Sequence, residues 1–139
     1  MAIGGKRFGE FVRDKRLAKG IGLRQMAKMV GVSATYMSKI ERDEFPPPAE
    51  DKVRTIAAII GCDADELLAL SGRISSDLAE IIRQHPREIS ELLRTTLGLR
   101  IGVVTELTQR AKEAKETGVV EPRANHNDRG TVNPKGGSR

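Results

Sequence analysis

The stretch LRQMAKMVGVSATYMSKIE, residues 23–41, decides how this chain folds. Leu23, Met26, Ala27 and Val30 recur at i, i+3, i+4 and i+7, which places them on one stripe of a helix. Gly31 interrupts the stripe, and Ser33 is suited to cap a second helix in which Met37 and Ile40 face inward. Two short helices crossing steeply need a small residue where their backbones approach, a glycine in the turn, and apolar residues to lock the crossing. Ala27, Gly31 and the set Met26, Val30, Val32, Met37 and Ile40 meet those needs. The free side of the second helix is then left to Ala34, Thr35, Ser38 and Lys39.

Strand signals are nearly absent on both sides of this stretch, so the chain reads as all-α. Upstream, the spacing predicts a helix over residues 7–19, stopped by Gly20. Downstream, Pro46-Pro47-Pro48 demands an extended connection. A helix carrying Val53, Ile56, Ala57 and Ile60 follows and stops at Gly61, after which Asp63 and Glu66 form a capping box for a fifth helix through Leu70. Residues 1–72 thus make a five-helix domain. Residues 73–99 read as a helical pair, with Leu78, Ile81 and Ile82 before His85-Pro86 and Ile89, Leu92, Leu93 and Leu97 after it; Pro86 suits a first helical position. These faces have little within the chain to cover them, so the pair is expected to dimerise. Residues 100–116 can form a charged helix with Ile101, Val104, Leu107, Ala111 and Ala114 on one side, and residues 117–139 lack periodicity and read as a flexible tail.

Composition limits the function. The 139 residues are 38% hydrophobic but hold only Phe8, Phe11, Phe45 and Tyr36 as aromatics, so the core must be aliphatic. Cys62 is alone, which excludes an intrachain disulfide and a cysteine-ligated zinc site and suggests a small buried residue. The longest apolar run, residues 56–60, falls far short of the ~20 residues that span a bilayer, and no signal-peptide core opens the chain. A soluble cytoplasmic protein without a membrane partner is expected. No Gly-rich phosphate loop, metal-ligand spacing or activated nucleophile is visible, so neither an enzyme nor a cofactor is expected. Net charge is +5, unevenly spread: residues 1–45 hold ten basic and five acidic groups, residues 46–99 six basic and nine acidic. The N-terminal third is therefore the candidate polyanion-binding face.

Taken together, residues 8–70, with the 23–41 stretch and the final DADELLAL, resemble the phage-repressor, or Xre, branch of the lambda-repressor-like helix-turn-helix family. The resemblance implies that the second helix of the motif enters the major groove of double-stranded DNA while the first crosses the backbone. It implies base readout by Ala34, Thr35, Ser38 and Lys39, residue types suited to guanine acceptors, mixed donors and acceptors, and thymine methyls. It implies phosphate contacts from Arg16, Arg24, Ser33, Tyr36 and Arg42, with Lys6 and Arg7 adding charge, and a structural ion pair between Arg16 and Glu41. Departures from the family pattern are Gly22 for a Ser or Thr cap, Leu23 for a frequent glutamine, Asp43 where glycine commonly closes the recognition helix, and Glu44 with three prolines after it.

The reading that follows is a transcriptional repressor binding a palindromic operator as a homodimer, since one small domain contacts too few bases to find one site in a genome. Dimerisation falls to Leu78, Ile81, Ile82, Ile89, Leu92 and Leu93. The alternatives are an antitoxin whose residues 99–120 wrap a toxin, or a protein-interaction module that no longer binds DNA. By analogy with relatives, a regulatory metallopeptidase is a further candidate partner, cutting near residues 97–101.

Overall fold

A computed structural model describes residues 5–119 of the chain. Among these residues it contains eight helices and no strand: α1 (Phe8–Ala18), α2 (Leu23–Val30), α3 (Ala34–Glu41), α4 (Glu50–Ile60), α5 (Ala64–Leu70), α6 (Ser76–Gln84), α7 (Pro86–Thr95) and α8 (Ile101–Glu116). The chain divides within α7, between Glu91 and Leu92, into two compact units. The tail expected beyond residue 119 lies outside the described residues.

In the first unit, α1 to α5 close around a core in which Val12, Met26, Met37, Val53, Ile56 and Leu67 have no solvent exposure, and which, contrary to the purely aliphatic core expected, also takes in Phe8 and Phe11 from α1. The stripes of α2, α3 and α4 supply most of it, which is how helices too short to persist alone become stable. Gly31 takes left-handed backbone (φ 82°) to stop α2, and its amide and that of Val32 both donate to the Ala27 carbonyl. Ser33 Oγ then accepts the Tyr36 amide at 3.1 Å and starts α3. Asp63 Oδ1 does the same for the Glu66 amide at the start of α5. Cys62, expected to be buried, is half-buried; desolvation, together with Glu66 and Asp63 nearby, pushes its thiol above the ordinary value.

Two features fix what surrounds this core. Proline carries no amide hydrogen, so the triproline stretch offers only carbonyls, and the Arg73 guanidinium donates to those of Pro48 and Pro47. Just beyond, Arg54 of α4 donates to Glu50 Oε1 at 2.9 Å and to Ser75 Oγ at 2.6 Å. Glu50 Oε1 also accepts the Ser76 amide at 3.2 Å, and the Ser75 hydroxyl donates to Asp77. The start of α6 is thereby tied to α4. The Arg54 guanidinium and the Ser76 groups hold the Glu50 carboxyl below its ordinary value, as the Ser75 hydroxyl does for Asp77.

In α6 no residue is buried; Leu78 and Ile81 are exposed and Ile82 is half-buried. Pro86 opens α7, which carries Ile89 half-buried in the first unit. In the second unit Leu92 and Leu93 are each 52% exposed, and α8 shows solvent to most of its length, with Val104 and Ala114 half-buried.

Candidate nucleic-acid interface

The α2–turn–α3 pair presents one side of α3 outward. Thr35 is exposed there and Ser38 and Lys39 are half-buried, whereas Ala34 and Tyr36, also half-buried, pack against the core. Arg24 stands exposed in the first turn of α2, whose N-cap, Gly22, supplies no side-chain cap. Ser33 caps the start of α3 and Thr35 lies in its first turn, and both are exposed. A helix start without a side-chain cap keeps amide hydrogens directed outward, which favours anions nearby.

At the other end of α3, basic and acidic groups interlock. Arg42 is exposed, with Nη1 3.2 Å from Glu44 Oε1 and Nε donating weakly to the Ser38 carbonyl at 3.4 Å. Such an exposed pair is worth little. Lys6 similarly meets Asp14 at 2.6 Å, and that carboxylate raises its ammonium above the ordinary lysine value. Arg7 is exposed.

Arg16 differs from these. Its Nε donates to Glu41 Oε1 at 2.5 Å, its Nη2 to Glu41 Oε2 at 3.2 Å and its Nη1 to the Ile21 carbonyl at 2.8 Å. The pair forms a two-pronged fork joining α1 to the end of α3, and Arg16 is only 7% exposed. The phosphate contact expected of Arg16 conflicts with this burial: its guanidinium is committed inside the protein on all three nitrogens. In this structure the guanidinium joins α1 to α3 and is buried.

Three residues escape the sequence reading. Gly9 is buried in α1 where a Cβ would lie 2.2 Å from the Ile40 carbonyl oxygen and 2.7 Å from that of Glu41, so only glycine lets α1 approach the end of α3 so closely. Asp43 occupies left-handed backbone (φ 56°); its amide donates to the Ile40 carbonyl, and the next amide, of Glu44, donates to that of Lys39. Its carboxylate accepts the Gly9 amide at 2.8 Å, one of the unpaired donors at the start of α1. Phe45, 40% exposed, lies with its ring centroid 5.8 Å from that of Tyr36 and 4.8 Å from Lys39 Nζ. A lone glycine near a helix start carries no sequence signal of a close approach. Asp in a glycine position and an aromatic beside a proline run were visible signals.

Such a pair of crossed helices, embedded in a five-helix core with one helix face turned out, defines a helix-turn-helix domain. A family model described as a helix-turn-helix domain matches residues 7–70. The chain is 37% identical over 65 residues to the ImmF control region 10 kDa protein of Bacillus phage phi105, covering 47% of this chain and 71% of that protein. It is 31% identical over 84 residues to the uncharacterized HTH-type transcriptional regulator RghRB of Bacillus subtilis (strain 168), covering 60% of this chain and 57% of that one. The P22 c2 repressor protein, solved in complex with a synthetic operator, is 30% identical, covers 45% of this chain and 94% of its own, and superposes with a TM-score of 0.42. The chain belongs to the lambda-repressor-like, or Xre, helix-turn-helix family of DNA-binding regulators.

Among the described residues no helix is long and apolar enough to cross a membrane, and no group of three or more His, Cys, Asp or Glu side chains could hold a metal ion.

Proposed function

We propose that this chain is a transcriptional repressor that binds a two-fold symmetric operator as a homodimer. The observation that carries the reading is the outward side of α3: Thr35, Ser38 and Lys39 stand on one helix face, with exposed Arg24 at the start of α2 and exposed Arg42 just past the end of α3. A helix of this width fits the major groove of B-form DNA, whose base edges offer acceptors to lysine and paired donors and acceptors to hydroxyls. Lys39 donates to guanine O6 or N7, Thr35 and Ser38 bond adjacent base edges, and Ala34 touches a thymine methyl. Arg24, Ser33, Tyr36 and Arg42 bind phosphates and fix the register. The relative from Bacillus subtilis is described as an uncharacterized HTH-type transcriptional regulator, which supports a regulatory role for the domain.

Dimerisation supplies the second half-site. Leu78, Ile81 and Ile82 on α6, and Ile89, Leu92 and Leu93 on α7, occupy i, i+3, i+4 positions of their helices and remain exposed or half-buried. Burying them against a second copy removes that apolar surface from water. Half-sites one helical turn apart, about 34 Å, follow from the symmetry.

The test is equilibrium binding of the full chain to duplexes recovered from a random pool, measured from 50 to 200 mM salt. With about six phosphates neutralised by a dimer, affinity is expected to fall by roughly three decades. A flat salt response contradicts the proposal.

A further inference from the structure

Resting on the DNA-binding reading above, we propose that Phe45 is a specificity-determining positioning residue: its ring holds the Lys39 ammonium in place, so that the lysine meets a guanine already aimed.

The Lys39 ammonium faces an aromatic ring rather than an acid. Among the described residues it has no ion-pair partner, although Glu44 lies in the adjoining turn; that carboxylate is engaged by Arg42 at 3.2 Å. Instead Lys39 Nζ sits 4.8 Å from the Phe45 ring centroid. The ring is itself held in place twice. Its backbone amide donates to the Lys39 carbonyl at 3.3 Å, next to the Glu44 amide on the same oxygen at 2.9 Å, which folds the chain back onto the last turn of α3. From the side, Tyr36 packs against it at 5.8 Å, tilted by 47°. Phe45 therefore meets both side chains, braced by the Tyr36 ring and facing the Lys39 ammonium.

This arrangement changes what the lysine does. A lysine ammonium is a point charge on a flexible four-carbon stem, and fixing it at a base costs rotamer freedom. A ring that attracts the charge removes part of that freedom before DNA arrives. The ammonium has three N–H donors. With one directed at the ring, two remain for the paired O6 and N7 acceptors that guanine alone presents in the major groove. Without the ring the lysine samples neighbouring phosphates, whose attraction is indifferent to sequence.

Three measurements on the full-length chain test this. In the unmodified protein the Lys39 Hε resonances are expected upfield of free lysine through the ring current, and Phe45→Leu, which keeps apolar bulk without a π face, should return them. Discrimination between duplexes with and without a guanine at the position read by Lys39 should fall about two- to fivefold in Phe45→Leu, the size of an exposed cation–π contact. It should be retained in Phe45→Trp. In a Lys39→Ala background, Phe45→Leu should change nothing further. The salt slope should not become shallower in Phe45→Leu, because no phosphate contact is lost and the freed lysine gains access to phosphates.

Unshifted Lys39 resonances, or full discrimination in a folded Phe45→Leu variant, overturn the inference while leaving DNA binding intact. Equal effects of Phe45→Leu with and without Lys39 also overturn it, since the ring would then be reading the base itself. Failure of the unmodified chain to retain any duplex overturns the DNA-binding reading, and this inference with it.

Discussion

The Gly9 amide donates to Asp43 Oδ1 at 2.8 Å, so the residue that closes the recognition helix also caps the first helix. Two demands meet at Asp43. Its left-handed backbone favours glycine, asparagine or aspartate, and its side chain must supply an acceptor.

Substitutions at position 43 should separate these demands. Asp43→Asn keeps both and should leave stability nearly unchanged. Asp43→Gly relieves the backbone but loses the cap, and the two effects, each of about 1 kcal/mol, offset. Asp43→Ala loses both and should destabilise by about 1–3 kcal/mol in urea unfolding. Equal losses for Gly and Ala would show that backbone conformation contributes nothing.

Gly9→Ala forces a methyl against the carbonyls of Ile40 and Glu41, and backbone cannot swing aside as a side chain does. Destabilisation of about 1–3 kcal/mol or more is expected from thermal melts. A stability equal to the unmodified chain would mean that α1 and α3 are not in this contact.

Removing one partner of the Arg16–Glu41 fork leaves the other charge buried. Arg16→Met or Glu41→Leu should each cost about 3–5 kcal/mol. The paired change Arg16→Met with Glu41→Leu should cost much less, because no unpaired charge remains. Additive single losses in that cycle would argue against a direct pair.

How much of this was legible beforehand follows from the physics of each element. Apolar stripes report which helix face is buried, so α2, α3 and α4 could be placed from Met26, Val30, Met37, Ile40, Val53 and Ile56 alone. Ser33 and Gly31 mark helix ends because their chemistry there is local. The Gly9 approach, the Asp43 cap, the Arg73 clamp on Pro47 and Pro48, and the Arg54–Ser75 tie join residues 21 to 34 positions apart. Such pairings leave no periodic trace. The same reason explains why Arg16 was assigned both an ion pair and a phosphate: sequence places its helix, but only packing shows how deeply its guanidinium sits.

Acidification should loosen the α4–α6 tie before the core. Glu50 and Asp77 have carboxyls held below their ordinary values, so the stability they contribute is complete above the ordinary carboxylate range and is lost as pH falls through the lowered folded values. Hydrogen exchange at the Ser76 amide should therefore accelerate, beyond its intrinsic pH dependence, below about pH 4, while Ile56 stays protected. Constant relative protection of Ser76 would contradict the role given to Glu50.

Charging the exposed leucines of α7 tests self-association. Leu92→Asp with Leu93→Asp should leave the five-helix core folded and convert dimer to monomer in sedimentation analysis, with a large loss of operator affinity. Unchanged sedimentation would remove these residues from the interface.

If α3 reads bases, fragments selected from a random duplex pool by the unmodified chain and, in parallel, by Lys39→Ala, Ser38→Ala and Arg24→Ala should differ. A two-fold symmetric motif is expected whose preferred bases change with Lys39→Ala and Ser38→Ala, at about 1–3 kcal/mol for each specific contact, whereas Arg24→Ala weakens every sequence alike. Recovery of the same motif from all four proteins, or of none from the unmodified chain, would contradict base reading by α3.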